Sequence, residues 1–305
     1  MMRSANLTNG GAGVTRMLTF VVLCLSMGLT TSCKDDDGLT AGDPDYFTSS
    51  RGQFTAVVDD NTTLYLLPGN ASGTATLTYD GDNPRHWQSE TTATVSVTTY
   101  AGSLTLPETV TANGRTYTLT RIGEEAMMGC RKLTSLTLPA TVQSLGEGAF
   151  AICTTLTGVN IPEGIKEIPT GCFGYCTKLN SMVLPASVQT LASMAFYGCS
   201  GMTAITLNDG LQSIGERAFF DCPKLTAITI PASVTTIGHR AFGGRNASTK
   251  SAIAAYHMKG ATPPTLEGTL YEAQDGVAPV IFVPAGAAVA YRSAAGWSEL
   301  TIEEE

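Results

Sequence analysis

The residues best suited to chemistry in this chain are cysteines that recur at a constant spacing. Five of them lie 23 residues apart, at Cys130, Cys153, Cys176, Cys199 and Cys222. If a structural unit repeats at this interval, the thiols form one column with neighbours about 4.8 Å apart. Equivalent positions point the same way, whereas a disulfide needs Cβ atoms that face each other and zinc needs four converging ligands. We therefore predict a column of reduced, buried cysteines, without a metal or any other cofactor.

Other catalytic chemistry has little support in the sequence. Cys172 and Cys176 form a C-x-x-x-C pair, for which a local redox role stays open as an alternative. The three histidines, His86, His239 and His257, lie in different segments, and none belongs to a metal or hydrolase motif. No P-loop and no G-x-S-x-G motif occurs in the chain. We therefore predict that the protein is not an enzyme.

The start of the chain predicts export and a covalent lipid. Arg16 precedes an apolar run at residues 17–29, which is too short to span a bilayer as a helix and is typical of a signal peptide. The run is followed by Ser32-Cys33, a small residue before a cysteine, and this pair resembles a bacterial lipobox. We predict that residues 1–32 are a signal peptide and that Cys33 is lipidated. An ordinary signal peptide with a chance cysteine is the alternative.

Charged residues directly after the lipid site predict the destination. Lys34, Asp35 and Asp36 resemble the export signal that sends Bacteroidetes lipoproteins to the outer face of the outer membrane. We therefore predict a Gram-negative outer membrane lipoprotein that is exposed on the cell surface. A solvated linker is the alternative interpretation. The Gly, Asp and Ser content of residues 33–51 predicts a lipidated flexible tether.

Composition narrows the range of partners. Hydrophobic residues make up 43% of the chain and charged residues 14%, as expected of a folded protein. The formal net charge is −8. An acidic protein of this kind is a poor match for nucleic acid or an anionic membrane. We predict contact with a membrane only through the lipid on Cys33.

The element that must position the cysteines is a repeat with the same 23-residue period. L-x-x-L-x-L motifs begin at Leu133, Leu156, Leu179, Met202 and Leu225. A motif of this form at such a period is the signature of a leucine-rich repeat solenoid. Alternation within each motif predicts a short strand with one buried face. The Ala-Phe pairs that follow predict short helical turns on the other side of a single sheet of stacked parallel strands.

The ends of the repeat array must be covered by different segments, and the composition changes on both sides. Residues 52–103 are rich in threonine and predict a small β-rich unit or cap. Residues 104–250 hold the repeats of 23-residue period, and Asn113-Gly114 predicts a hairpin turn early in this region. Residues 251–305 predict a last strand and a C-terminal cap, in which Trp297 packs over the final turn.

The repeat units resemble a particular bacterial family. The turn over residues 133–153, with its Gly-x-x-Ala-Phe-x-x-Cys segment, resembles the leucine-rich repeats of the BspA-like, or Treponema pallidum type, family. The similarity covers about residues 104–300. Members of that family are cell-surface proteins, and several are adhesins for host matrix proteins or for other bacteria. The resemblance thus implies adhesion as the function of this chain.

The outward-facing strand positions are the candidate binding face, because solenoids bind partners along such surfaces. These positions are Ser135, Thr137, Asn160, Ser181, Val183, Thr206 and Thr229, with Gly158, Ala204 and Ala227 between them. Their small, uncharged side chains favour a flat contact with a host matrix or bacterial surface protein. One alternative is a glycan-capture lipoprotein of a nutrient uptake system, with Tyr65, Tyr79, Trp87 and Tyr100 as contacts. The other is a structural envelope protein.

Overall fold

A computed structural model describes residues 54–59, 62–68, 72–78, 97–244, 253–271 and 278–305. These residues belong to one compact unit, Thr48–Glu305. The predicted signal peptide, Cys33, the export residues Lys34, Asp35 and Asp36, and the tether lie outside the described residues. Tyr79 and Trp87 lie outside them as well.

The N-terminal strands form a mixed sheet that runs into the repeats. Its strands are β1 (Phe54–Asp59), β2 (Thr62–Pro68), β3 (Thr74–Thr78), β5 (Thr109–Ala112) and β6 (Arg115–Ile122), while β4 (Val97–Thr105) belongs to the repeat strands. The order is β1-β2-β3-β6-β5, and β3 pairs with β6 in parallel. The predicted hairpin turn is present, because Asn113 and Gly114 have φ of 49° and 76° between antiparallel β5 and β6.

Each repeat contributes one short strand to a first column of parallel strands along one side of the coils. The column contains β4, β7 (Cys130–Thr137), β9 (Gly158–Asn160), β11 (Ser181–Val183), β13 (Ala204–Thr206) and β15 (Ala227–Ile230). Partners lie one repeat apart, as in Ser135 with Gly158 and Ser181 with Ala204. β4 pairs in the same way with β7, so Leu104 faces Leu136. The boundary predicted at residues 103 and 104 therefore falls inside a strand.

A second column of parallel strands, two residues long in each coil, adds to the predicted sheet. It contains β8 (Ser144–Leu145), β10 (Glu167–Ile168), β12 (Thr190–Leu191), β14 (Ser213–Ile214), β16 (Thr236–Ile237) and β18 (Thr265–Leu266). β6 pairs with β8, which links the N-terminal sheet to this column. The sequence did not reveal these strands, because two residues are too few to display a period of two.

The turns that follow the second column are single turns and not continuous helices. Their backbone N–H groups alternate between a carbonyl three residues earlier and a carbonyl in the next coil. In one coil these bonds are Ala149 N–H to Gly146 O (3.3 Å), Phe150 N–H to Cys172 O (2.9 Å), Ala151 N–H to Gly148 O (2.9 Å) and Ile152 N–H to Gly174 O (2.7 Å). Gly148 and Ile152 have φ of 59° and 61°. These left-handed residues interrupt the helical turns that the Ala-Phe pairs predicted.

The core is built from columns of identical side chains. Phe150, Phe173, Phe196, Phe219 and Phe242 stack with successive ring centroids 5.3 to 5.4 Å apart. All five rings are buried. Each ring therefore contacts the equivalent ring of the neighbouring coil, and the leucine-rich repeat solenoid predicted from the sequence is confirmed.

The C-terminal segment continues the first column and closes it. Its elements are β17 (Ala255–Met258), β19 (Val280–Val283), the helix α1 (Ala288–Ser293) and β20 (Thr301–Glu304), and the strand order is β15-β17-β19-β20. Trp297 is buried against Tyr291 and donates an indole N–H bond of 2.8 Å to Pro264 O. Its role is therefore packing. The helices of the described region include none with the length and apolarity to cross a bilayer.

Candidate binding face

The outward side of the first strand column forms a continuous surface, which we call the strand face. Strand pairing aligns its side chains in two rows within the groups β4-β7-β9, β11-β13 and β15-β17-β19-β20, and the 23-residue repeat continues the rows from one group to the next. One row contains Ser103, Ser135, Gly158, Ser181, Ala204, Ala227, Ala255, Val280 and Thr301, and the other contains Thr105, Thr137, Asn160, Val183, Thr206, Thr229, His257, Phe282 and Glu303. All seven residues of the candidate binding face lie in these two rows.

Most of the predicted face residues are open to solvent. Thr137, Thr206 and Thr229 are exposed, and Val183 is 70% exposed. Ser135 is half-buried, and its hydroxyl donates a 2.8 Å bond to Ser103 Oγ in the preceding coil. The exposed valine is therefore an apolar point among predicted face residues that are otherwise small and polar.

Asn160 has a structural role that the sequence did not reveal. Its Oδ1 accepts a 2.7 Å bond from the Leu138 N–H, and its Nδ2 donates a 3.0 Å bond to Leu138 O. The amide thus satisfies both backbone groups of one residue in the preceding coil. The amide oxygen and one amide hydrogen of Asn160 are already used in these bonds. Asn160 therefore has less hydrogen-bonding capacity left for a binding partner.

The C-terminal part of the strand face differs in chemistry from the rest. His257 and Phe282 stack with ring centroids 5.0 Å apart. The Glu305 carboxylate lies 2.8 Å from His257 Nδ1 and accepts a 3.0 Å hydrogen bond from Lys259 Nζ. These two contacts lower the pKa of the Glu305 carboxyl.

Sequence reasoning missed this part of the face because it ended the rows at Thr229. The alternating patterns of residues 255–258 and 280–283 indicate strands, but the repeat spacing is lost between them. Only the pairing of β15 with β17 and β17 with β19 brings His257 and Phe282 into the rows. Each ring covers one face of the other, so at most one face of each ring is left for a sugar to stack on.

Two of the tyrosines suggested for glycan capture are in the described region. Tyr100 is only 4% exposed, and Tyr65 is half-buried within β2. A sugar ring needs an accessible aromatic face on which to stack, so Tyr100 cannot serve as the contact that the sequence suggested. Its position in β4 directs the ring into the core.

The cysteine column lies in the core of the coils. Its five cysteines, and Cys172 outside the column, are buried and form no disulfide bond with one another. Thiols donate to the coil before: Cys176 Sγ lies 3.2 Å from Phe150 O, and Cys199 Sγ lies 3.1 Å from Phe173 O. Burial raises the pKa of Cys176 and of Cys222 to about 12.

A thiolate is the reactive form of cysteine, and burial suppresses it here. Burial likewise raises the pKa of Cys172, the other member of the C-x-x-x-C pair. In the described part of the chain, no group of three His, Cys, Asp or Glu side chains converges as metal ligands would. The cysteines of the column are buried side chains of the core.

Comparison with known proteins agrees with this geometry. Residues 120–249 match the family model of the BspA type leucine rich repeat region in six copies. No curated protein matches the chain.

Three solved structures of bacterial leucine-rich repeat proteins are similar to the chain. The T. pallidum leucine rich repeat protein is 20% identical, with 85% of this chain and 97% of that chain covered and a TM-score of 0.47. A leucine rich cell surface protein from Faecalibacterium prausnitzii is 23% identical, with coverages of 75% and 70% and a TM-score of 0.45. A leucine-rich repeat protein from Bacteroides ovatus is 17% identical, with coverages of 85% and 76% and a TM-score of 0.42.

Proposed function

We propose that this chain, whose residues 120–249 are leucine-rich repeats of the BspA type, is a cell-surface lipoprotein that binds other proteins through its strand face. The observation that carries the proposal is the composition of the two rows. They present small side chains over successive coils from β7 to β15, so a partner can approach the backbone closely along the solenoid. Surfaces of this kind are the usual binding regions of solenoid proteins.

The middle of the strand face supports a protein partner. Val183 is apolar and 70% exposed. Ser181, Thr206 and Thr229 around it are exposed and polar. An apolar point within a polar rim is typical of protein–protein contacts. Host matrix proteins and bacterial surface proteins are the partner classes that we propose.

Support for the membrane anchor comes from the sequence. Ser32-Cys33 matches a lipobox, and Lys34-Asp35-Asp36 matches an export signal for the outer face of the outer membrane. Residues 33–51 then provide a tether of Gly, Asp and Ser. On this proposal the lipid on Cys33 is the protein's contact with the membrane, and the repeats extend away from the cell.

Protease shaving of intact cells tests the location. We expect peptides of residues 97–305 to be released from intact cells that express the full chain, with mass spectrometry as the readout. A Cys33→Ala variant should leave the membrane fraction, because it lacks the acceptor for the lipid. Peptides that appear only after the outer membrane is broken would place the protein in the periplasm and contradict surface exposure.

Bulk added to the strand face tests the binding surface. Full-length protein carrying Thr137→Trp and Thr206→Trp should lose at least tenfold in binding to a panel of coated host matrix proteins, because both indoles would project from the face. Gln189→Trp is the matched control, since this exposed residue precedes the second strand column. If the wild-type protein binds no member of the panel and no bacterial surface, or if the double variant binds as well as the control, the proposal is wrong.

A further inference from the structure

Carboxylates are absent from the strand side of the coils. Residues 120–244 contain eight Asp or Glu and eight Lys or Arg residues. The five segments that enter and form the first-column strands contain four of the cations and none of the acids. These segments are residues 131–137, 154–160, 177–183, 200–206 and 223–229, and the cations are Arg131, Lys132, Lys178 and Lys224. The side of the coils that bears the strand face is therefore locally positive in a chain of net charge −8.

Three of these cations form a straight row at the margin of the strand face. Lys132, Lys178 and Lys224 occupy the same position in every second coil, and all three are exposed. Each lies directly before the buried leucine that begins the motif. Adjacent parallel strands are about 4.8 Å apart, so consecutive lysines in the row are about 10 Å apart. We call this set the lysine row.

In the two coils between the lysines, the equivalent residues are Thr155 and Gly201, and both contact the preceding coil. Thr155 donates hydroxyl hydrogen bonds of 2.8 Å to Arg131 O and to Leu133 O in the preceding coil. Gly201 lies so close to the preceding coil that a Cβ there would be 2.4 Å from Thr177 O. A lysine is therefore disfavoured at either place, and the row alternates for a physical reason.

Among the described residues, the three lysines of the row form no ion pair. Within the residues that the structure describes, ion pairs join Arg217 to Glu216 and Glu305 to both His257 and Lys259. No carboxylate of that region pairs with Lys132, Lys178 or Lys224. Three ammonium groups thus lie about 10 Å apart beside the exposed strand face, and the described part of the chain gives them no counter-charge.

We propose that the lysine row binds a linear anionic polysaccharide. Cations at a constant spacing along a straight line suit a polymer that carries sulfate or carboxylate groups at a constant spacing, whereas the charges on the surface of a non-repetitive protein have no such period. Nucleic acid fits less well, because a single strand carries a phosphate about every 3.4 Å and needs aromatic rings on which its bases stack. The only aromatic rings of the strand face from Ser135 to Glu303 are His257 and Phe282, which stack on each other beyond the row.

The negative net charge of the chain makes heparin binding a specific test of the lysine row. A protein of net charge −8 is repelled by a polyanion at long range, so retention on heparin requires a local cluster of cations. Heparin is therefore a suitable probe, and neutral dextran and a single-stranded oligonucleotide of equal length are the comparison polymers.

The test measures affinity for heparin across a series of NaCl concentrations, with full-length protein in detergent. The wild-type protein should bind heparin and not dextran, and it should bind heparin more tightly than the oligonucleotide. In Lys178→Gln/Lys224→Gln the affinity at low salt should fall at least tenfold. The slope of log K against log salt should become shallower by roughly 1.5, as two fewer counterions are displaced.

Two matched variants make the result specific. Arg121→Gln/Lys166→Gln removes two exposed cations outside the lysine row and should bind heparin within twofold of wild type. Lys178→Arg/Lys224→Arg keeps both positive charges and should bind heparin as tightly as wild type. This variant tests the role of charge even if the glutamine variant folds poorly.

The proposal is overturned by any of four results: no retention of wild type on heparin, an equal loss in both glutamine pairs, equal binding to dextran, or tighter binding to the oligonucleotide. The inference goes beyond the protein-binding proposal and can fail separately from it. Thr137→Trp and Thr206→Trp change bulk on the strand face and leave its charge unchanged, whereas the lysine variants change charge beside the face.

Discussion

The strand side and the turn side of each coil differ in how their backbone bonds to neighbouring coils and in how far their side chains are buried. On the turn side, around residues 146–153, backbone bonds to the next coil recur at every second residue and most side chains are buried. On the strand side, pairing covers only three or four residues in most coils, and alternate side chains face solvent. The turn side therefore carries the denser backbone bonding between coils, and the strand side leaves more side chains exposed to solvent.

The largest expected difference between the two sides comes from deleting one ring. Phe196 is buried between Phe173 and Phe219, with ring centroids 5.4 and 5.3 Å away. Phe196→Ala should lower the free energy of unfolding by about 3 to 5 kcal/mol, as measured by urea denaturation. Val183→Ala on the strand face should change it by less than about 0.5 kcal/mol. Equal effects would remove the distinction between the sides.

Glycines provide the second comparison. A Cβ at Gly146 would lie 2.2 Å from the Glu124 backbone nitrogen, whereas a Cβ at Gly158 on the strand face would meet nothing within 4 Å. Gly146→Ala should therefore cost about 1 to 3 kcal/mol. Gly158→Ala should be neutral or slightly stabilising, because alanine restricts the unfolded chain. Thermal unfolding of the two variants measures the difference, and a neutral Gly146→Ala would show that neighbouring coils can separate freely.

Alkaline pH tests the buried cysteine column. Burial raises the pKa of Cys176 from 9.0 to about 12, so the folded state keeps a proton that the unfolded state releases. The stabilisation from this thiol is complete below about pH 9 and is lost as the pH rises toward 12.

The expected slope is about 1.4 kcal/mol per pH unit for each such thiol. Cys176→Ala should make the fall in unfolding free energy shallower by about that amount, as measured by urea titrations at several pH values. Ser181→Ala on the strand face should leave the slope as it is in wild type. An unchanged slope in Cys176→Ala would mean that this thiol is ionised in the folded protein.

The smallest expected effect lies on the strand side itself. Asn160→Ala removes the two hydrogen bonds to Leu138 and should cost about 1 to 2 kcal/mol. Thr206→Ala, in the same row, should cost less than about 0.5 kcal/mol. Chemical denaturation of the pair measures this difference. Equal costs would return Asn160 to the set of residues that are free for binding.

Residues inside one coil were predictable from the sequence, and contacts across irregular coils were not. Alternation around Leu136 and Leu138 identifies the buried and exposed sides, because a strand has a period of two. The second strand column escaped prediction because each of its strands has two residues. The His257–Phe282 stack escaped because the segments around these residues differ in length from the repeats, so no constant spacing links the two.

The sequence by itself determined the 23-residue repeat, the leucine-rich solenoid, the columns of phenylalanine and cysteine, and the side of each strand that faces solvent. These features follow from local chemistry that every coil repeats. The tertiary structure alone decided that β3 joins the repeats through parallel pairing with β6, that the Asn160 amide serves Leu138, and that the strand face continues to β20. Such contacts join segments that share no period, and their partners are selected only when the whole chain packs.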